Sequence, residues 1–157
     1  MPKEIFYGKE AFEKLRNGAK MLSDAVSVTM GAKGQNVLIE DTYGNDPHIT
    51  KDGVTVAKAV QLKDSVEKLA CNLIKKVALR TNDSVGDGTS TATVLANAIV
   101  QYGADAIENE GINPVLLKRG IDIELKNTLE YLDAIKTPLN NDLSKAREVA
   151  LVSANGD

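Results

Sequence analysis

Apolar residues recur at spacings of three and four along four stretches of this chain, a period that restricts each stretch to a helix with one apolar stripe. The first stripe is Phe12, Leu15, Ala19, Leu22, Val26 and Met30, and it stops at Gly31-Ala32-Lys33-Gly34, where glycine admits backbone angles other residues avoid. Val66, Leu69, Leu73, Ile74 and Val77 form the second stripe, which breaks from Asn82 to Gly88. Ala92, Leu95, Ala96, Ile99, Tyr102, Gly103 and Ala106 form the third, so two helices are expected to face each other across a glycine-bearing loop. The fourth opens at Asn113-Pro114, a cap followed by a residue suited to the first turn, runs through Leu117, Ile121, Leu125, Leu129 and Leu132, and ends before Pro138. A shorter helix is expected from Ser144 to Val152. These stripes are read as core.

Two β-prone runs, Val37 to Glu40 and His48 to Thr50, flank the turn-rich residues Asp41 to Pro47 and predict a hairpin. A lone hairpin is marginal and leaves unpaired edges, so it either packs on the helices or pairs with a strand of another molecule. It is the expected oligomer contact. The fold class expected is mainly α with a small β-hairpin.

With 157 residues the chain can bury one real core, and its 43% hydrophobic, 26% charged and only 4% aromatic content suits packed Ala, Leu, Ile and Val helices. A net charge of −3 with both signs interspersed supplies no basic field for nucleic acid or an anionic membrane. The single cysteine, Cys71, has no second thiol for a disulfide or a metal pair and is expected to pack as a small hydrophobe. The first residues lack an apolar signal core and no segment approaches membrane-spanning length, so a cytoplasmic protein is expected.

Chemistry concentrates in Gly86-Asp87-Gly88-Thr89-Ser90-Thr91-Ala92-Thr93, a glycine-flanked carboxylate followed by hydroxyls at the start of an expected helix. Glycines let backbone N–H groups approach an anion, and a helix N-terminus offers unsatisfied donors and a positive dipole end. Asp87 would repel bare phosphate there, but a carboxylate can hold magnesium, which prefers oxygen ligands and bridges to phosphate oxygens. A solvated turn whose Asp or Thr caps the next helix fits the same local pattern, and local chemistry leaves both readings open. Gly31 to Gly34 and Lys51-Asp52-Gly53 taken singly read as a helix C-cap and a turn. Neither a Walker A pattern nor a GxGxxG after a strand occurs. His48 has no partner ligands and is given no chemistry, and Glu108 with Glu110 reads as a solvated helix end.

Taken in order, Thr29-Met30-Gly31-Ala32-Lys33-Gly34, Ile49-Thr50-Lys51-Asp52-Gly53-Val54, Gly86 to Leu95, Leu117-Lys118-Arg119-Gly120-Ile121-Asp122 and Ser153-Ala154-Asn155 resemble the group I chaperonins. The resemblance covers essentially the whole chain. It implies that residues 1–135 are the N-terminal half of an ATP-binding equatorial domain, with Ile5 to Tyr7 as an N-terminal strand, and that 136–157 begin an intermediate domain. The apical domain and the second equatorial half are expected to be absent, which makes the domain incomplete and leaves apolar helix faces uncovered.

The same resemblance implies that Thr29, Met30, Gly31 and Ala32 line a nucleotide and that Lys51 and Asp52 lie near its phosphates. Asp87 would ligate the metal, Gly88, Thr89, Ser90 and Thr91 would wrap the phosphates, and Val152 and Ser153 would lie at the rim. The implied cofactors are ATP or ADP and Mg2+, with K+ as a further ion. No catalytic residue is expected in this segment, Asp52 being an assisting carboxylate at most. The implied partners are other chaperonin subunits in seven-membered rings, with unfolded proteins and co-chaperonin bound through absent regions. Ala32 stands where the family has Pro and Ser90 where it has Thr. Ser90 keeps a hydroxyl, whereas Ala32 gives up a fixed backbone angle. The implied function is that of an ATP-dependent protein-folding subunit. The alternatives are a short non-catalytic protein that assembles with chaperonin rings, and a small phosphotransferase, which the missing Walker pattern and missing general base disfavour.

Overall fold

Helix signals in the sequence translate into six helices and one hairpin among the described residues, which in this computed structural model are 5–40, 46–140 and 142–154. Two compact units divide the chain, Met1–Gly111 and Ile112–Asp157. The first contains α1 (Gly8–Ser27), β1 (Val37–Ile39), β2 (His48–Thr50), α2 (Gly53–Ala59), α3 (Ser65–Val85) and α4 (Thr89–Glu108). The second contains α5 (Pro114–Ile135) and α6 (Leu143–Ser153). No described helix is long and apolar enough to cross a membrane.

The core of the first unit is built where α1, α2 and α3 meet. Ala19, Leu22 and Val26 of α1 pack with Val56 and Ala57 of α2 and Cys71 and Ile74 of α3, and Ala96 and Val100 of α4 close over the cluster. Leu22 and Val26 are wholly buried, and truncating Leu22 to Ala costs about 2–5 kcal/mol. Helices α1 and α3 cross at Gly18, where an added Cβ would lie 2.2 Å from the Glu67 carbonyl oxygen. Only glycine permits that approach. Cys71 is buried, as expected, and burial pushes its thiol pKa up.

Which face of α3 turns inward differs from the expectation. Its buried residues are Ala70, Cys71, Ile74 and Ala78, while Leu69, Leu73 and Val77 of the expected stripe are exposed. Small side chains let α3 come within backbone distance of α1, so the face of small residues takes the core and the large residues face outward. The same holds for α4, where Thr89, Thr93 and Ala104 are buried and Leu95, Ile99 and Tyr102 are exposed. In the second unit neither α5 nor α6 has a buried residue. The fourth stripe, read as core, is corrected here, since Ile121, Leu125, Leu129 and Leu132 of α5 are exposed.

The hairpin forms with antiparallel register Val37 to Thr50, Leu38 to Ile49 and Ile39 to His48. Of the expected turn-rich residues Asp41 to Pro47, residues 41–45 lie outside the described residues. Leu38 and Ile49, paired across the strands, are both exposed, and so is His48. The expected strand at Ile5 to Tyr7 is corrected, because the hairpin is the whole sheet among the described residues and Tyr7 instead stands extended at the N-cap of α1. Phe6 there lies under the Lys14 ammonium, 4.6 Å from ring centroid to nitrogen, which ties this segment to α1 rather than to a strand.

Two further boundaries move. Helix α3 continues through Asn82, Asp83 and Ser84 to Val85 and ends at Gly86 in the left-handed region, so the break expected from Asn82 is only the Gly86 to Gly88 turn. Lys51-Asp52-Gly53, read singly as a turn, leads into the short helix α2, an element not expected from the sequence, because the Asp52 carboxylate accepts the N–H groups of Val54 and Thr55 and nucleates a turn. Helix α5 starts as expected, with Asn113 Oδ1 accepting the Val115 and Leu116 N–H groups and Pro114 in the first turn.

Glu108 is a correction as well. Its side chain is only 18% exposed, with Oε2 3.4 Å from Arg16 Nη1, and its Oε1 is buried with no partner among the described residues. Packing of α4 along α1 brings this last turn against Arg16, which also donates through Nε to Gln101 Oε1 at 3.1 Å. Glu110 is exposed.

Candidate functional site

Three segments distant in sequence meet at the first turn of α4. Its N-cap is Gly88, at φ +77°, and no side chain caps it. The first intrahelical bond runs from the Ala92 N–H to the Gly88 carbonyl at 2.9 Å, so the Thr89, Ser90 and Thr91 N–H groups lie in the turn that lacks internal acceptors. Helices α2, α3, α5 and α6 each spend an Asp or Asn on such donors. At α4 they remain open beside a positive dipole end.

Asp87 sits between two left-handed glycines, Gly86 at φ +79° and Gly88 at φ +77°. This backbone folds the carboxylate back so that Oδ1 accepts the Gly88 N–H at 2.6 Å, and the residue is exposed. Among the described residues no group of three or more His, Cys, Asp and Glu side chains gathers to hold a metal. A metal at Asp87 would therefore take its other ligands from phosphate oxygens and water, the pattern magnesium favours. An exposed carboxylate with a free lone-pair set suits that group.

The hydroxyls of the first turn divide by role. Thr89 and Thr93 are buried, and Thr93 Oγ1 donates to the Thr89 carbonyl at 2.8 Å. Thr91 is exposed, and Ser90 is half-buried with its Oγ 3.3 Å from Thr29 Oγ1. That contact joins α4 to the loop after α1. Thr29 Oγ1 also bonds the Val26 carbonyl at 2.8 Å, and the Gln35 N–H returns to the Val28 carbonyl at 2.7 Å, closing the loop around Met30, Gly31 and Ala32. Gly31 has φ +75°, and a Cβ on Gly34 would lie 2.3 Å from the Thr29 carbonyl oxygen. Met30, Gly31 and Ala32 are exposed.

The third segment is Lys51-Asp52-Gly53. Gly53 abuts Ser90 so closely that a Cβ there would be 2.2 Å from Ser90 Oγ. Asp52 has both oxygens engaged: Oδ1 accepts the Val54 N–H at 3.2 Å, and Oδ2 accepts the Thr55 N–H at 2.9 Å and the Thr55 hydroxyl at 2.5 Å. Partial burial opposes its charge, but these bonds and nearby Lys58 win and hold its carboxyl below the usual carboxylate range. A carboxylate held ionised in this way is a cap and a weak base. Lys51 is exposed.

Thr29, Gly53 and Ser90 are thus brought together, with Asp52, Asp87 and Gly88 next to them in the chain. Val152 and Ser153 are exposed at the end of α6 in the other unit. Sequence reasoning missed the site's dependence on Gly53 and Gly34 as close approaches and on Thr55 as partner of Asp52. The spacing Asp52-Gly53-Val54-Thr55 is an N-cap signal that β-branched neighbours obscured.

A mainly helical layer with a two-stranded hairpin and glycine turns converging on one helix start is the build of a chaperonin equatorial-domain fragment. The structure is similar to that of the chaperonin gp146 from the Pseudomonas aeruginosa bacteriophage EL, crystallised in the presence of ATP-BeFx, with a TM-score of 0.80 and 29% identity. The match covers 96% of this chain and 26% of that one, so the chain spans about a quarter of that protein's length. The model of the TCP-1/cpn60 chaperonin family matches residues 22–157, and the chain belongs to that family.

Proposed function

We propose that this chain is a nucleotide-binding segment of an ATP-driven protein-folding chaperonin of the group I type. The observation that carries the reading is the convergence of Thr29 and Gly53 on Ser90, beside the open donors of α4 and the Asp87 turn. Phosphate oxygens would accept the Ser90 and Thr91 N–H groups, and Asp87 would share a magnesium ion with them. When bound, the ion neutralises phosphate charge. Thr29 to Ala32 would border the nucleoside side and Lys51 the phosphates. Residues 1–135 would belong to the equatorial domain and 136–157 to the intermediate domain.

Support for the reading also comes from the related phage chaperonin crystallised with ATP-BeFx. Refolding of unfolded proteins and assembly with other chaperonin subunits would belong to the whole protein, and the exposed Leu38 and Ile49 pair is the surface we assign to a neighbouring subunit. Asp52 is committed to capping, so this chain alone should bind nucleotide without turning it over. Calorimetry with ADP and ATP, with and without magnesium, beside steady-state ATPase assays tests this. Magnesium-dependent binding without turnover is expected. No binding by the folded chain would sink the reading, and robust turnover would show that the catalytic group lies within these residues.

A further inference from the structure

We propose that Lys75 is a positioning residue for the nucleotide site, acting through α2; the inference rests on the nucleotide reading above. Helix α2 has only seven residues, with β-branched Val54, Thr55 and Val56 among them, and a helix this short does not hold its place by propensity. It must be fastened from outside. At its start the Asp52 carboxylate supplies the cap. At its end the chain leaves in an extended conformation at Val60, with φ −60° and ψ 121°, so the last carbonyls have no helical successors.

Lys75 fills that place. Projecting from α3, its ammonium donates to the Lys58 carbonyl at 3.3 Å and to the Val60 carbonyl. A cation at these carbonyls also meets the negative end of the helix dipole. The preceding residue, Ile74, and Cys71 one turn earlier pack in the core against Val56 and Ala57, so α3 grips α2 by its side as well as by its end. Apolar packing alone permits a small slide along the helix axis, whereas two directed bonds at one end fix the axial position.

That position matters because of what the other end touches. Gly53, the first residue of α2, leaves no room for even a Cβ against Ser90. A shift of α2 by a fraction of an ångström would therefore open or close the junction at which the loop after α1, α2 and α4 meet. Lys75 is about 10 Å of helix away from that junction. It would set the site without touching nucleotide.

The experiment compares Lys75→Met, which keeps the aliphatic stem and removes the donors, with Lys75→Arg, which can donate to the same carbonyls, and with Lys76→Met as an exposed neighbour on α3. Two readouts are taken on the full chain: MgADP affinity by calorimetry, and amide exchange at Val56 and Val60, whose N–H groups bond within α2 to Asp52 and Val56. Lys75→Met should weaken MgADP binding about three- to tenfold and speed exchange at those two amides, with protection in α1 and α4 retained. Lys75→Arg should recover most of both, and Lys76→Met should change neither.

Unchanged affinity in a Lys75→Met chain, or an equal loss of protection throughout α1, α3 and α4, would overturn the positioning role. If the parent chain binds no nucleotide, the nucleotide reading fails. The exchange rates at Val56 and Val60 then still decide whether Lys75 fastens α2.

Discussion

The hydroxyl oxygens of Thr29 and Ser90 lie 3.3 Å apart although the residues are 61 positions apart in the chain. Gly53 presses on the same Ser90 hydroxyl, and a Cβ there would lie 2.2 Å from its oxygen. Because the obstructing atom is a rotatable hydroxyl, Gly53→Ala would drive Ser90 into another rotamer and break its contact with Thr29. The expected cost is about 1–3 kcal/mol in urea unfolding, lessened by the small helix gain of Ala over Gly. In a Ser90→Ala background the nearest atoms become the Cβ of residue 90 and Val26 Cγ1, both at 3.4 Å and both ordinary contacts, so the same substitution should cost about 1 kcal/mol less. Additive effects in this cycle would show that the two residues do not collide.

Asp87 is exposed and its one bond among the described residues is to the next residue, so Asp87→Ala should leave the unfolding midpoint nearly unchanged. The magnesium-dependent part of ATP and ADP binding should disappear, about a tenfold or larger loss. Calorimetry at fixed nucleotide with magnesium titrated in reads this directly. Equal magnesium dependence in the variant would move the metal elsewhere.

Gly86 and Gly88 have open space around the place a Cβ would take, so their cost on substitution is purely backbone. Each Gly→Ala change should lose about 1–2 kcal/mol, and Asn should be tolerated better than Ala at either position. Urea titrations of the four variants check the order. Equal costs for Ala and Asn would argue against the left-handed turn.

Much of this arrangement was legible in the sequence, for stated reasons. The 3.6-residue period located α1, α3, α4 and α5, and the Asn113-Pro114 pair fixed a helix start to the residue. The Gly86-Asp87-Gly88 turn was legible because glycine on both sides of a carboxylate is costly in any regular element. What the period could not supply was which of two possible faces turns inward. On α3 the large residues Leu69 and Leu73 suggested one face, but the approach of Gly18 to Glu67 rewards small side chains and selects Ala70, Cys71 and Ala78. Helix α2 was illegible for a different cause, since its β-branched residues match a strand and only the Asp52 cap and its packing on α3 make it helical. Nor could local sequence show that Gly53 meets Ser90, which is a relation between elements.

That reversal of faces is itself testable in the same chain. Leu73 is 52% exposed, so Leu73→Ala should cost less than about 1 kcal/mol, whereas Leu22→Ala should cost about 2–5 kcal/mol. Gly18→Ala, which adds a single methyl group against the Glu67 backbone, should cost more than Leu73→Ala despite removing nothing. Urea unfolding followed by circular dichroism ranks the three. A Leu73→Ala cost equal to that of Leu22→Ala would restore the larger residues to the core.

The acid limb of stability should report on the caps. Three of them, Asp52, Asp64 and Asp142, have carboxyls held below the usual range. For Asp52 burial works against the shift and the Thr55 and Val54 bonds produce it; for Asp64 the Lys14 ammonium at 2.6 Å is the main cause; for Asp142 it is the Ser144 hydroxyl. A depressed folded value means that the unfolded chain binds the proton first as pH falls. Each contribution is therefore complete above the ordinary carboxylate value of about 4, and is lost as pH falls through the lower folded value. In Asp52→Asn the side chain still accepts at the helix start but does not titrate, so the variant should be less stable than the parent near neutrality and converge on it as pH falls through the lowered folded value. Urea midpoints measured from pH 7 to pH 3 give the comparison. Curves that stay parallel through that range would show that Asp52 titrates alike in the folded and unfolded chains.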